Sequence, residues 1–291
     1  MVHADTTFFN DLKMGHRALS EGNAGLAFEC WSRCQSYMPP NIDAYRHLAH
    51  SFRAIGHLAH ARGLIQAALS MAPDDPVLQS DLANLLIDRG ESDTAIEMLV
   101  LLANSSEAAG DTENALGFLG NTLMAMEYSP GRSTYSSNTI AQKWEDLAST
   151  WAKAQITRIQ IPERGPELEA PRPLRVGFIS GDLCDHPVGF LLLPVLQNRN
   201  PTLWRPYLYD NGSRQDRTHQ QLRACVADQD WHTVGTLDDS ALMKKILDDR
   251  LDVLVDLSGH SGKSRLRVMA YRLAGKQLSW LGSSATPGLP T

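Results

Sequence analysis

The sequence predicts a fold in two parts, a helical-repeat solenoid followed by a single Rossmann-like half-domain with a parallel sheet. Three observations lead to this prediction. Small residues recur at a fixed step in the first third of the chain, strand-like and helix-like segments alternate in the last 118 residues, and a proline-rich segment separates the two regions. The predicted class is therefore α followed by α/β.

The repeat step is 34 residues. It relates three glycines and three alanines, namely Gly22, Gly56, Gly90, Ala27, Ala61 and Ala95. This period is typical of tetratricopeptide repeats, in which each repeat is a pair of helices. We frame three repeats as 8–41, 42–75 and 76–109, within a domain that spans 1–109. The glycines predict left-handed turns between paired helices. Bulky residues are predicted to fill the seam between them, namely Trp31, Phe52, Ile65, Leu86 and Leu99.

A helical extension is predicted over residues 110–160. Leu116, Leu119 and Leu123 follow helical spacing, and a second amphipathic helix covers 140–156. The next thirteen residues contain four prolines, which indicates a linker at 161–173.

Residues 174–291 are predicted to form the α/β half-domain. Strand-like runs occur at 174–180, 205–210, 230–234, 252–258 and 276–282. Helices are predicted between them at 187–199, 215–226, 239–249 and 262–273. Such alternation indicates a parallel sheet with right-handed crossovers.

Ligands bind beyond the carboxyl ends of strands in open α/β sheets, so the residues that follow each strand are the candidate site. After strand one these are Asp182, Asp185, His186 and Pro187. After strand four they are Gly259 and His260, and after strand five Thr286 and Gly288. We expect the three loops, two of which carry a histidine, to meet at one edge.

Plainer interpretations stay open for each of these residues. His186 could stabilise only its own loop, the aspartates could cap a helix, and Gly259 could shape a turn. The basic residues Lys263, Arg265, Arg267 and Arg272 could form a solvated helix face. Neither a G-x-G-x-x-G after strand one nor a G-x-x-x-x-G-K-[ST] is present, which disfavours a dinucleotide site and a Walker-type phosphate loop.

Composition excludes several function classes. The 27 basic and 33 acidic residues give a net charge of −6, which argues against nucleic-acid or membrane-surface binding and leaves room only for a local basic patch. No run of 18 apolar residues occurs, so we expect a cytoplasmic protein with its four cysteines reduced. The histidine pairs 47/50 and 57/60 lack a completing set of ligands, and we expect no metal site.

The order of the motifs resembles one family. The segments RPLRVGFISGDLCDHPVGFLLLPVL, DVLVDLSGHSGKSRL and QLSWLG, with the repeats before them, resemble the SPINDLY-like branch of protein O-linked N-acetylglucosamine transferases. The resemblance implies a GT-B-like N-terminal lobe and inverting, metal-free transfer from UDP-GlcNAc to serine or threonine of proteins. It also implies that His186 lines the active-site cleft as the catalytic candidate, that Asp182, Asp185, Pro187, Gly259 and His260 border the same cleft, and that the loop containing Thr286 and Gly288 does so too.

The chain stops at Thr291, shortly after the fifth strand. We therefore expect a truncated or partial transferase without the C-terminal lobe, inactive or weakly active alone, with a protein or peptide acceptor on the repeat surface. Self-association through an exposed face of the lobe is a further expectation. The alternative function is a non-catalytic tetratricopeptide scaffold that binds a protein partner.

Overall fold

The computed structural model describes residues 2–131, 134–157, 172–282 and 286–289. It divides into two compact units. One comprises Met1–Ser105 with Tyr128–Ser133, and the other comprises Ser106–Glu127 with Thr134–Thr291. The helices of the predicted extension thus group with the sheet, and most of the predicted linker 161–173 lies outside the described residues.

The first unit is built from helix pairs, as the 34-residue step predicts. The helices are α1 (Val2–Ser20), α2 (Ala24–Cys34), α3 (Ile42–Ala54), α4 (Leu58–Met71), α5 (Pro76–Asp88) and α6 (Ser92–Ala108). Gly22, Gly56 and Gly90 have φ values of 80°, 78° and 80°, so each occupies the left-handed turn predicted for it. A short 3₁₀ helix, Gln35–Tyr37, follows α2.

The core of this unit confirms the predicted seam. Trp31 and Phe52 are fully buried, and Ile65, Leu86 and Leu99 are buried with them. Gly15 of α1 lets Trp31 of α2 approach closely, because a Cβ atom at residue 15 would lie 2.1 Å from Trp31 Nε1. Trp31 Nε1 also donates a hydrogen bond of 3.3 Å to the carbonyl of Leu12.

The second unit contains the predicted parallel sheet. Helices α7 (Thr112–Glu127) and α8 (Ser137–Ile156) precede it. The strands are β1 (Leu174–Ser180), β2 (Trp204–Asp210), β3 (Trp231–Thr233), β4 (Val253–Asp256) and β5 (Lys276–Ser279). The helices between them are α9 (Pro187–Gln197), α10 (Arg217–Ala224) and α11 (Asp239–Asp248). The strand order is β3-β2-β1-β4-β5, and all pairs are parallel.

The two faces of the sheet carry different helices. Phe178 and Val255 pack with Leu192 of α9 and with Leu222 of α10 on one face. The strands β1, β2 and β3 are added in one direction across the sheet, whereas β4 is added on the other side of β1. Because the crossovers are right-handed, α11 lies on the face opposite to α9 and α10. Helix α8 contacts α11 there, so α8 lies on that face as well.

One predicted element is wrong. Residues 262–273 do not form an α-helix, and only Leu266–Ala270 form a short 3₁₀ helix. Lys263 has a φ of 62°, which an α-helix does not allow. Arg265 and Arg267 both bind the carboxylate of Asp239 in α11, so they are not the solvated face that the spacing suggested.

Strand β5 is shorter than predicted, again because a residue has a positive φ. Leu281 has a φ of 67°, which ends the extended backbone. The four cysteines are free, and three of them are buried. Among the helices that the structure describes, none combines the length and apolar character needed to cross a membrane.

Candidate functional site

The loops that follow the strands meet at the carboxyl edge of the sheet. Ser180 ends β1 and Ser258 follows β4, and their hydroxyls lie 3.3 Å apart. The backbone N–H of Asn211, after β2, donates to the carbonyl of Ser180 at 2.8 Å. The hydroxyl of Ser279, at the end of β5, donates to Asp256 at 3.2 Å. Four strands therefore deliver polar groups to one edge, as parallel topology requires.

His186 begins helix α9 at this edge. It is the N-cap residue, and its Nδ1 accepts a hydrogen bond of 3.3 Å from the backbone N–H of Val188. An accepting Nδ1 carries no proton, so the neutral ring carries its proton on Nε2. In this geometry the half-buried ring presents an N–H donor at Nε2. Pro187 follows at the first helical position, which suits its fixed φ.

The two aspartates before His186 have structural partners. The N–H of Asp185 donates to the carboxylate of Asp216 at 2.9 Å, and Asp185 accepts from the N–H of Thr218 at 3.3 Å. Burial alone would raise the pKa of Asp216, but the N–H groups of Asp185 and His219 outweigh it and hold that pKa below its usual value. The N–H of Asp182 donates to Ser180 Oγ at 3.0 Å. These bonds fix the loop that carries His186 against α10.

Asp256 is the most buried carboxylate of the carboxyl edge, with 1% of its surface exposed. It accepts hydrogen bonds from the N–H groups of Ser258 and Gly259 at 3.2 and 2.7 Å. Burial raises its pKa to about 6, although these donors and the Ser279 hydroxyl oppose the rise. Gly259 has a φ of 56°, which lets the turn fold back onto the carboxylate. Asp256 thus shapes the turn after β4.

His260 lies in a different environment from His186. Its ring packs edge-on against Trp144 of α8, with centroids 5.0 Å apart, and against Gly120 of α7. Only 8% of the residue is exposed, and burial lowers its pKa to about 4. Helix α9, which His186 caps, covers the other face of the sheet. The loops after β1 and β4 therefore meet at one edge, while His186 begins α9 and the ring of His260 packs against α7 and α8. A cleft that both rings line stays a prediction.

The segment after β5 packs on α8. The backbone of Thr286 and Pro287 lies near the ring of His260 and favours its protonated form, which limits the fall of its pKa. Gly288 is buried, has a φ of 64°, and a Cβ atom there would lie 3.0 Å from the carbonyl oxygen of Ala141. Ser283–Ala285 of the predicted loop lie outside the described residues.

The sequence analysis missed polar residues at this edge. Asp210 ends β2, is 4% exposed, and has a raised pKa because of burial. The side chain of Asn211 donates to the carbonyl of Lys263 at 2.7 Å and so joins the turns after β2 and β4. The signal was an aspartate at the end of a buried strand, followed by Asn-Gly. Within the described ranges, no three His, Cys, Asp or Glu side chains are grouped as metal ligands would be.

The two units thus define a class of protein in which a helical-repeat region precedes a Rossmann-type lobe with a polar carboxyl edge. Comparison with known proteins gives the family. Residues 138–290, just over half of the chain, match the model of glycosyl transferase family 41. The chain belongs to this family.

Several relatives have names that state a function. The probable UDP-N-acetylglucosamine–peptide N-acetylglucosaminyltransferases SPINDLY of Arabidopsis thaliana and Solanum lycopersicum are each 30% identical over 122 residues, 41% of this chain and 13% of theirs. A solved mutant of the Thermobaculum terrenum O-GlcNAc transferase matches with a TM-score of 0.72 and 28% identity, over 98% of this chain and 52% of that one. The chain therefore spans about half of that solved protein and about an eighth of the plant relatives.

Proposed function

We propose that this chain forms the repeat array and the N-terminal lobe of a UDP-GlcNAc-dependent protein O-GlcNAc transferase. The proposal depends on one observation: the structural match to the Thermobaculum terrenum enzyme covers 98% of this chain and so includes both units. The family match over residues 138–290 supports it independently.

The proposed reaction is an inverting transfer without a metal. A serine or threonine oxygen attacks the anomeric carbon while the bond from that carbon to the diphosphate breaks. The hydroxyl proton passes to solvent water, and the departing diphosphate takes the electron pair of the broken bond and gains negative charge. We place His186 beside the acceptor and the sugar, where the Nε2–H described above can donate a hydrogen bond to a developing negative charge.

We assign the protein acceptor to the repeat surface. The plant relatives are named as peptide transferases, and solenoid repeats commonly hold partners on an extended surface. A scaffold function without catalysis is the second candidate, since helices α1 to α6 pair into a repeat array within the first unit. The two candidate functions differ in one respect: the transferase needs the residues at the carboxyl edge of the sheet, and the scaffold does not.

The lobe also offers a surface for self-association. Phe190 and Leu191 of α9, together with Leu278 and Trp280 at β5, are between 40% and 56% exposed. Exposed apolar side chains favour association when they lie close together. Light scattering over a concentration series would reveal it as a rise in mass, and a constant monomer mass would remove this part of the proposal.

The test is a chimera. This chain replaces the matching half of the Thermobaculum terrenum enzyme, and mass spectrometry measures GlcNAc transfer from UDP-GlcNAc to a serine-containing peptide. The unaltered enzyme and the 291-residue chain alone serve as references. Transfer by the chimera above the level of the chain alone supports the proposal. A folded chimera, judged by a cooperative thermal transition, that transfers nothing would overturn it.

A further inference from the structure

Residues 182–186, which we name the His186 loop, lead from β1 into α9 and contact the first turn of α10. His186 caps α9 by accepting the N–H of Val188. Asp216 caps α10 by accepting the N–H of His219 at 3.1 Å. The loop is therefore in contact with the N-termini of two neighbouring helices, and one of these helices begins at the catalytic candidate.

Asp216 uses its two carboxylate oxygens for two different tasks. Its Oδ1 caps α10, whereas its Oδ2 accepts the N–H of Asp185 at 2.9 Å. Burial alone would raise the pKa of Asp216, but the N–H donors hold that pKa below its usual value, so this acceptor is charged at neutral pH. Because Asp185 directly precedes His186, the bond fixes the backbone from which the imidazole extends.

Two further hydrogen bonds join the His186 loop to α10. The N–H of Thr218 donates to the carboxylate of Asp185 at 3.3 Å, so Asp185 both donates to α10 and accepts from it. The Nδ1 atom of His219 lies 3.2 Å from the carbonyl oxygen of Leu183. A carbonyl oxygen only accepts, so this bond requires the proton of His219 on Nδ1. The first turn of α10 thus holds the loop at two successive points.

Helix α9 packs on the same loop without spare room. A Cβ atom at Gly189 would lie 2.1 Å from the carbonyl oxygen of Cys184 and 3.1 Å from Thr218 Cγ2. The loop, α9 and α10 therefore meet at Gly189 in direct contact. A shift of the loop relative to α10 would move the start of α9, and with it the backbone of His186.

We propose that Asp216 is a positioning residue for the transfer reaction, because its bond to the N–H of Asp185 keeps the His186 imidazole oriented as an Nε2–H donor. The inference rests on the proposed function, which places His186 beside the acceptor and the sugar. Asp216 touches neither of them and acts only through the loop. Since Asp185 is exposed, water replaces a lost acceptor there, so the bond contributes more to the position of the loop than to stability.

Asp216→Asn separates the two tasks of this side chain. Asparagine caps a helix as well as aspartate does, but its amide nitrogen replaces one oxygen and places a donor against the N–H of Asp185. Asp238→Asn is the matched control, because Asp238 caps α11 by accepting the N–H of Ala241 at 2.7 Å. Helix α11 lies on the other face of the sheet. Both variants should keep nearly the wild-type melting temperature.

The first measurement reports the orientation of the ring and needs no activity. Nuclear magnetic resonance of the 291-residue chain above neutral pH gives the imidazole nitrogen shifts of His186, which are assigned by their absence in His186→Asn. The wild type and Asp238→Asn should show the Nε2–H tautomer, because Nδ1 accepts the N–H of Val188. Asp216→Asn should show a mixture of both neutral tautomers.

The second measurement is the kinetics of the chimera with the Thermobaculum terrenum enzyme. Asp216→Asn should lower kcat by about tenfold and leave KM for the acceptor peptide within about twofold. The reason is that a misplaced donor weakens an interaction that is made only in the transition state. Asp238→Asn should change neither constant.

The outcomes separate this inference from the proposed function. Transfer by the wild-type chimera with an unchanged kcat in Asp216→Asn leaves the proposed function standing and overturns the positioning role. An equal loss of kcat in Asp238→Asn overturns it too, and so does a loss in Asp216→Asn without a change in the tautomer of His186. A folded wild-type chimera that transfers nothing removes the proposed function, while the tautomer in Asp216→Asn still decides whether Asp216 orients the ring.

Discussion

A Cβ atom built on Gly120 would lie 3.0 Å from the Nδ1 atom of His260, which is closer than a relaxed contact allows. Helix α7 therefore reaches the turn after β4 because residue 120 has no side chain. The buried imidazole, the indole of Trp144 and the helix backbone form one packed group. This contact joins the helical extension to the carboxyl edge of the sheet within the second unit.

Gly120→Leu should destabilise this unit by about 1–3 kcal/mol, because the added side chain must displace the ring of His260. Gly117→Leu is the matched control on the same helix. A Cβ atom at residue 117 meets nothing within 4 Å, and leucine has a higher helix propensity than glycine, so the stability of this variant should equal or exceed that of the wild type. Urea unfolding followed by tryptophan fluorescence measures both variants. Equal destabilisation by the two substitutions would show that the contact with His260 does not decide the result.

Asp256 and His260 should have opposite effects on the pH dependence of stability. The pKa of Asp256 is raised to about 6, so the folded state binds its proton more tightly than the unfolded state. Its contribution is fully present below the unfolded value near 4 and is lost as the pH rises through 6. The pKa of His260 is lowered to about 4, so its contribution is present above the unfolded value near 6.5 and is lost as the pH falls through 4. Each effect amounts to about 3 kcal/mol.

The two contributions largely cancel between pH 4 and pH 6, and substitution should separate them. Relative to the wild type, Asp256→Asn should lose stability as the pH falls from 6.5, because the effect of Asp256 no longer offsets that of His260. His260→Gln should gain stability over the same fall. Chemical unfolding at closely spaced pH values measures the slopes relative to the wild type. Parallel curves for all three proteins would contradict the assigned environments of both groups.

The architecture was predictable because the spacing of small and apolar residues along the chain differs between helical repeats and alternating strands and helices. The step of 34 residues located the turns at Gly22, Gly56 and Gly90, and the β/α alternation located all five strands to within a few residues. The prediction of an α-helix over 262–273 was wrong, although the spacing of apolar residues there is helical. The conformation of this segment depends on Asp239, which is remote in sequence and binds Arg265 and Arg267. The spacing of residues within a short segment cannot predict a partner that is remote in sequence.

The candidate site was predictable only in part for a similar reason. The rule that loops after parallel strands share one edge correctly brought the turns after β1 and β4 together, with Ser180 beside Ser258. It could not reveal that α7 and α8 cover His260, because that requires the packing of helices far earlier in the chain. The aspartates at the ends of β2 and β4 were visible in the sequence but looked like ordinary strand ends.

Gly15→Ala tests the packing of the repeat array. The added methyl group would lie 2.1 Å from Trp31 Nε1 and must displace a fully buried indole, so we expect a loss of about 1–3 kcal/mol. Gly63→Ala in α4 is the control, since a Cβ atom there meets nothing within 4 Å. It should gain up to about 1 kcal/mol from helix propensity. Thermal unfolding followed by circular dichroism compares them, and a gain in both variants would refute the close approach of α1 and α2.

His186 provides the sharpest test of the chemistry, because its Nδ1 accepts the N–H of Val188 and leaves a donor at Nε2. His186→Ala removes both groups, so it should lower stability by about 1 kcal/mol through loss of the cap and lower transfer by the chimera by about a hundredfold. Asn supplies an oxygen that caps the helix and an N–H that donates. His186→Asn should therefore restore stability and keep transfer within about tenfold of the wild type. If the ring instead abstracts the acceptor proton, the Asn variant will be as inactive as the Ala variant while remaining as stable as the wild type, and the donor role is then excluded.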